Sequence, residues 1–174
     1  MAPTIMFLIV MGVSGSGKTT VASLLARRLG WDFYDADEFH PPENIAKMTQ
    51  GIPLDDSDRA PWLAALHALI QHSIAEGRPG VLACSALKQK YRDQLTADAP
   101  SVQVIYLKGS YEVVWLRIAA RNGHYMKPDL LKSQFAALEE PSGALAVDIR
   151  PEPDEIVEQI LSTLQLGATG AAQA

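Results

Sequence analysis

The sequence predicts a three-layer α/β fold, with a mainly parallel sheet of five strands and helices on both of its faces. Three observations carry this. Residues 5–11 form a continuous apolar run of strand length, as expected of a strand buried on both faces of a parallel sheet. A glycine-rich stretch follows it and leads into apolar residues at helical spacing, Val21, Leu24, Leu25 and Leu29. Short apolar runs then alternate with helical patterns to the end of the chain, the order that gives strand-helix-strand units.

The elements follow in order. The first helix stops at Gly30. Residues 32–37 are a second strand, carrying Phe33, Tyr34 and Ala36, with Asp35 and Asp37 at its C-terminal end. Residues 41–51 are a short helix after a proline start, broken by Gly51-Ile52-Pro53. Pro61 starts a longer helix to about Glu76, with Trp62, Leu66, Leu69 and Ile70 on one face. Residues 80–85 form the third strand, and Leu87, Tyr91 and Leu95 mark the helix after it. Residues 102–107 are the fourth strand. Residues 111–121 and 128–139 are helical, with a break at Asn122-Gly123. Residues 144–149 make the fifth strand, and residues 152–164 close the fold with Ile156, Ile160 and Leu164 in register. No internal repeat is visible.

The 174 residues suit one domain, residues 1–166, at roughly 150 residues per domain. Residues 167–174 are small and uncharged, which predicts a disordered tail. Apolar residues are 48% and charged residues 20%, so disordered, collagen-like and disulfide-scaffold classes are excluded. The single cysteine, Cys84, permits no internal disulfide and reads as a buried strand residue. A net charge of −5 argues against a broad basic face for nucleic acid. The first apolar run is closed by Gly12 and Lys18 and has no basic residue before it, so it reads as neither signal peptide nor spanning helix. A cytoplasmic protein without membrane attachment is expected. The histidines His40, His67 and His72 lack metal-ligand spacing with the cysteine, and no zinc site is expected.

The charge is uneven. Residues 32–58 hold eight acids against one base, Lys47, whereas Arg117, Arg121, Lys127 and Lys132 face only Asp129 in residues 117–132. Such runs are commonly solvated faces, but both flank loops at the carboxyl edge of the sheet, where ligands of open α/β folds bind.

Gly12-Val13-Ser14-Gly15-Ser16-Gly17-Lys18-Thr19 matches the phosphate-binding P-loop pattern in its required setting, after a buried strand and before a helix. Its backbone N–H groups would wrap phosphate oxygens, Lys18 would span the β- and γ-phosphates, and Thr19 would offer its hydroxyl to Mg2+. The nucleotide-binding residues are thus Gly12, Val13, Ser14, Gly15, Ser16, Gly17, Lys18, Thr19 and Thr20. Asp35-Ala36-Asp37 on an extended strand would turn both carboxylates the same way. One can hold the Mg2+ water shell while the other takes the proton of an acceptor hydroxyl. The third strand ends in Ala83-Cys84-Ser85 without an acid, so Asp35 or Asp37 has to serve the metal. Arg121 opens a segment, residues 121–133, that suits a mobile lid bringing a guanidinium over the phosphates; His124 lies within it. Arg59, Lys88 and Arg92 are cations able to take an anionic substrate group.

These residues resemble the thermoresistant-type gluconokinases of the P-loop kinase superfamily. The matching stretches are GVSGSGKT at 12–19, DADEFHPPENIAKMTQGIPLDDSDRAPWL at 35–63, CSALKQKYRDQL at 84–95 and RNGHYMKPDLLKSQFAALEEP at 121–141. The resemblance implies a P-loop kinase fold, a moving lid, and transfer from ATP to the terminal hydroxyl of D-gluconate, giving 6-phospho-D-gluconate and ADP in carbohydrate acid metabolism. It implies ATP and Mg2+ as cofactors and commonly a homodimer. Carried over by position, Lys18, Asp37 and Arg121 are the catalytic set, Asp37 meeting the acceptor hydroxyl, and Thr19 and Asp35 serve the metal. Asp37, His40, Lys47, Arg59, Lys88, Arg92 and His124 form the substrate side. Tyr125 departs from the phenylalanine more usual beside the lid histidine. Shikimate kinase is the runner-up, but its glycine triplet after the third strand is replaced here by Ala83-Cys84-Ser85. A nucleoside monophosphate kinase, and a nucleotide-binding regulator without catalysis, stand further behind.

Overall fold

A computed structural model describes residues 4–121 and 128–167. The strands are β1 (Phe7–Met11), β2 (Asp32–Asp35), β3 (Gly80–Ala83), β4 (Val102–Lys108) and β5 (Leu145–Asp148). The helices are α1 (Lys18–Leu29), α2 (Pro42–Thr49), α3 (Asp56–Ala75), α4 (Gln89–Thr96), α5 (Tyr111–Ala120), α6 (Pro128–Ala137) and α7 (Pro153–Leu164). All strand pairs are parallel and the sheet order is β2-β3-β1-β4-β5. The expected α/β class with five parallel strands is the one observed.

Every residue of central β1 is buried, which is why its sequence reads apolar without alternation. The two-residue pleat still divides its side chains. Leu8 and Val10 enter one core with Val21 and Leu25 of α1 and Ile156 and Ile160 of α7. Phe7, Ile9 and Met11 enter the other with Trp62, Leu66 and Ile70 of α3 and Leu95 of α4. Each large side chain so buried contributes about 1.5–3 kcal/mol, which anchors the strand that precedes the glycine loop. At β1 the strand order reverses, with β3 on one side and β4 on the other. The crevice at the carboxyl end of β1 is therefore where an open α/β sheet places its ligand.

Two expectations are corrected. Helix α3 begins at Asp56 and not at Pro61, because Asp55 and Asp58 form a reciprocal capping box: the Asp58 N–H donates to Asp55 Oδ1 at 2.8 Å and the Asp55 N–H to Asp58 Oδ2 at 3.0 Å. Pro61 then sits inside the helix. The second strand stops at Asp35, and Ala36–Phe39 turn as a 3-10 helix, because Asp35 Oδ1 accepts the Asp37 N–H at 3.0 Å. Asp35 and Asp37 are thus not two positions of one extended face. Of the segment read as a lid, residues 122–127, with His124, lie outside the described residues, as do residues 168–174 of the tail. Residues 128–133 belong to α6, whose Leu131 is fully buried.

Candidate active site

The glycine loop is shaped by its lack of side chains. Gly12 and Gly15 have φ of +156° and +81°, and a Cβ on Gly12 would stand 2.6 Å from Ser16 Oγ while one on Gly15 would stand 2.7 Å from Ile118. Only glycine lets the chain turn this tightly over the end of β1. Gly17 is the N-cap of α1 and supplies no side-chain cap, so the first-turn N–H groups of that helix face the loop mouth. Lys18 leads the helix and its Nζ donates to the Val13 carbonyl at 3.0 Å, across the loop. Burial pushes the Lys18 pKa down, and the charges of Asp37 and Asp35 oppose the shift. Thr20, beside Thr19 in the first turn, is exposed.

The structure brings together Thr19 and Asp35, the pair expected to serve a metal. Thr19 Oγ1 donates to Asp35 Oδ2 at 3.1 Å, while the other Asp35 oxygen holds the turn that carries Asp37. Trp62 Nε1 donates to the Ala36 carbonyl at 2.7 Å and pins that turn to α3. His40 stacks on the Trp62 ring at 4.4 Å. Its pKa is lowered by burial, a direction that Asp37 opposes and Arg59 reinforces, so the ring is neutral near pH 7. Asn44 Nδ2 donates to the Asp58 carbonyl at 2.9 Å and lies 3.3 Å from His40 Nδ1. An amide nitrogen only donates, so Nδ1 accepts and Nε2 carries the proton. Asn44 and Trp62 are positioning residues that sequence reasoning missed, since their partners lie 14 and 26 residues away.

The cations of the expected substrate side each have a protein partner. Lys47 Nζ bonds Asp58 Oδ1 at 2.7 Å. Lys88 lies 3.6 Å from Asp56, which also pairs with Lys90. Arg59 sits over the Tyr91 ring, 5.8 Å from its centroid, and donates to its hydroxyl at 3.4 Å. Arg92 differs most from expectation: it is buried, and its guanidinium donates to the carbonyls of Ala86, Leu87 and Glu139 and to Gln89 Oε1 at 2.7–3.0 Å. It braces the chain after β3 instead of presenting a fork to a ligand. Arg121 is exposed at the end of α5. One turn earlier, and unassigned from sequence, Arg117 reaches from α5 to the Ile149 carbonyl, with its Nη1 3.9 Å from where a Gly17 Cβ would be. Cys84 is buried and its thiol is pushed up to about 12 by that burial, which removes it as a nucleophile.

These residues fit a nucleoside triphosphate and a hard divalent cation. Inside the loop, Ser16 Oγ is buried without a hydrogen-bond partner among the described residues, in a cradle that a Cβ would fill. Thr19 and Asp35 offer oxygen donors of the kind that would suit Mg2+.

Fold and site together define a P-loop small-molecule kinase. A family model described as "Shikimate kinase" matches residues 14–165. The chain is 46% identical to a "Probable gluconokinase" of Mus musculus, covering 91% of this chain and 97% of the relative. It is 41% identical to the "Thermoresistant gluconokinase" of Escherichia coli, covering 91% and 93%. A crystal structure of a gluconokinase from Sinorhizobium meliloti superposes with a TM-score of 0.83 at 43% identity, covering 94% of this chain and 93% of that one. The chain belongs to the gluconokinase family of P-loop kinases.

Proposed function

We propose that this protein transfers the γ-phosphoryl group of ATP to the terminal hydroxyl of D-gluconate, giving 6-phospho-D-gluconate and ADP. The observation that carries the reading is the turn at Asp35–Asp37 held against the phosphate loop through Thr19, in a chain whose relatives are gluconokinases.

Asp37 is the group that orders the acceptor hydroxyl and takes its proton. As the new P–O bond forms to the substrate oxygen, the bond to the β-phosphate oxygen breaks and ADP leaves with that electron pair. Lys18 counters the charge that moves across the bridging oxygen, in a half-buried position where a cation acts strongly. Thr19 and Asp35 would hold Mg2+, which when bound neutralises phosphate oxygens. Neutral His40, with its proton on Nε2, suits a sugar hydroxyl more than a carboxylate. The carboxylate of gluconate falls to Arg59, Lys88 and Lys47, and Arg92 frames the loop that carries Lys88. Arg121 is the cation that approaches the phosphates from the end of α5.

A coupled ADP-release assay over gluconate, shikimate, glycerate and nucleoside monophosphates tests the reading. Release with gluconate and none with the others is expected; release with shikimate alone would put the runner-up in its place. Assembly as a homodimer and residence in the cytoplasm belong to the same reading, and light scattering on the purified protein decides the first.

A further inference from the structure

The tip of the phosphate loop makes a contact that wrapping phosphate does not by itself require. Gln134, on α6, meets Ser14 twice: Oε1 accepts the Ser14 backbone N–H at 2.6 Å, and Nε2 donates to Ser14 Oγ at 2.8 Å. The backbone group can only donate, which fixes the orientation of the amide with Oε1 on the N–H and Nε2 on the hydroxyl. Ser14 Oγ is therefore an acceptor toward Gln134, and its own proton is left to donate elsewhere. Among the described residues no protein acceptor takes it. Ser14 is half-buried beside Val13, whose carbonyl receives Lys18 Nζ. What a kinase brings to that mouth is phosphoryl oxygen, which only accepts.

Gln134 is itself firmly held. Leu131, one turn before it, is fully buried, and neighbouring Phe135 packs edge-on against Tyr111 with ring centroids 5.8 Å apart. Beyond α6, the Glu139 N–H donates to the Leu87 carbonyl at 2.9 Å and Glu139 Oε2 accepts the Gln89 N–H at 2.7 Å. The amide is thus presented to the loop from a fixed support.

We propose that the Ser14 hydroxyl donates a hydrogen bond to the transferring phosphoryl group, and that Gln134 is the positioning residue that directs it there. The proposal rests on the phosphoryl-transfer reading above. It also reserves the Ser14 N–H for Gln134, leaving the phosphates to the backbone N–H groups that follow in the loop.

The test compares Ser14→Ala, Gln134→Met and the double variant. Loss of one hydrogen bond to a charged phosphoryl group predicts kcat lowered about 10- to 100-fold in each single variant, with KM for gluconate and ATP within about threefold of wild type. The double variant is expected to be no slower than the slower single one, because both changes remove the same bond. Wild-type kcat in Ser14→Ala beside an impaired Gln134→Met would mean that Gln134 only holds the loop, and fully additive losses would mean that the two act separately; either overturns the proposal. Gln134→Glu supplies a second readout that does not depend on tolerance of a thioether. Protonated, its carboxyl reproduces the amide pattern; ionised, it accepts from both Ser14 groups and draws the hydroxyl proton away from the phosphates. Its kcat relative to wild type should rise as pH falls from about 8 to 5, toward the carboxyl's own range. A flat ratio counts against the proposal. The wild-type gluconate assay is run first. If it shows no gluconate-dependent ADP release, the substrate assignment fails on its own, and the variants are compared on acceptor-independent ATP hydrolysis, whose transition state carries the same phosphoryl charge.

Discussion

The two halves of the site are built by different means. On the nucleotide side the loop between β1 and α1 is shaped by backbone, with glycines at positive φ packed against Ser16 and Ile118. On the side expected to take the acceptor, Lys47, Arg59, Lys88 and Arg92 each already meet Asp58, Tyr91, Asp56 or a set of carbonyls. The difference teaches where mutational effects should fall. A backbone cradle is preorganised, so changes there act on the chemical step. Cations that have carboxylate partners must exchange them for a ligand, so changes there divide between binding and stability.

The largest contrast is expected from Lys18→Met. Removing this electrostatic contact should lower kcat roughly 100- to 1,000-fold with the circular dichroism spectrum unchanged. A loss below about tenfold would mean that the preorganised half does not govern the chemistry. Next, Asp37→Asn keeps the size but cannot take a proton, and should lower kcat by about 100-fold or more with KM for ATP little changed. Equal losses in nucleotide affinity and turnover would move Asp37 to the metal side.

Arg92→Ala sharpens the comparison within the acceptor half. Three carbonyls and an amide oxygen lose their donor, at a cost of about 2–4 kcal/mol in stability by urea unfolding, with KM for gluconate moving little. The reverse outcome, a stable protein with a raised KM, would make Arg92 a ligand residue. Arg59→Ala should do what Arg92→Ala does not. It raises KM for gluconate about tenfold at unchanged KM for ATP, and sorbitol, lacking the carboxylate, should serve wild type poorly and discriminate the variant much less.

The smallest effect is expected from Asp56. Hydrogen bonds from Lys90 and Tyr91 hold its carboxyl well below the usual carboxylate range. A depressed folded pKa gives stability that is present above the unfolded value, about 3.9, and lost as pH falls through the folded one. Asp56→Asn should therefore be slightly less stable than wild type at neutral pH, and the gap should begin to narrow below about pH 4 and go on narrowing as pH falls toward the folded value. A gap of constant size from about pH 5 down to about pH 2 would show that the amide perturbs packing instead of charge.

Much of this was legible in the sequence because it is local. The apolar run before Gly12, the glycine spacing and the residues at helical intervals are short-range patterns, and they placed the five strands, the phosphate loop and α1. Thr19 and Asp35 could be placed on one side in advance because the loop after the first strand and the end of the second both lie at the carboxyl edge of a parallel sheet, although β3 stands between the two strands. Two local signals were outweighed by neighbours. The proline at 61 yielded to the Asp55–Asp58 capping box, and the alternation at residues 35–37 yielded to the Asp35 side chain bonding the Asp37 N–H.

The sequence by itself determined the fold class, the nucleotide loop and the family, since each depends on residue order within a few turns of chain. Only the tertiary structure decided which cations are committed to the protein, that His40 is neutral with its proton on Nε2, and that Gln134 reaches Ser14 across 120 residues. Those outcomes depend on burial and on hydrogen-bond partners from distant segments. Neither is a property of any stretch of sequence read alone, because desolvation and pairing exist only once the layers have packed.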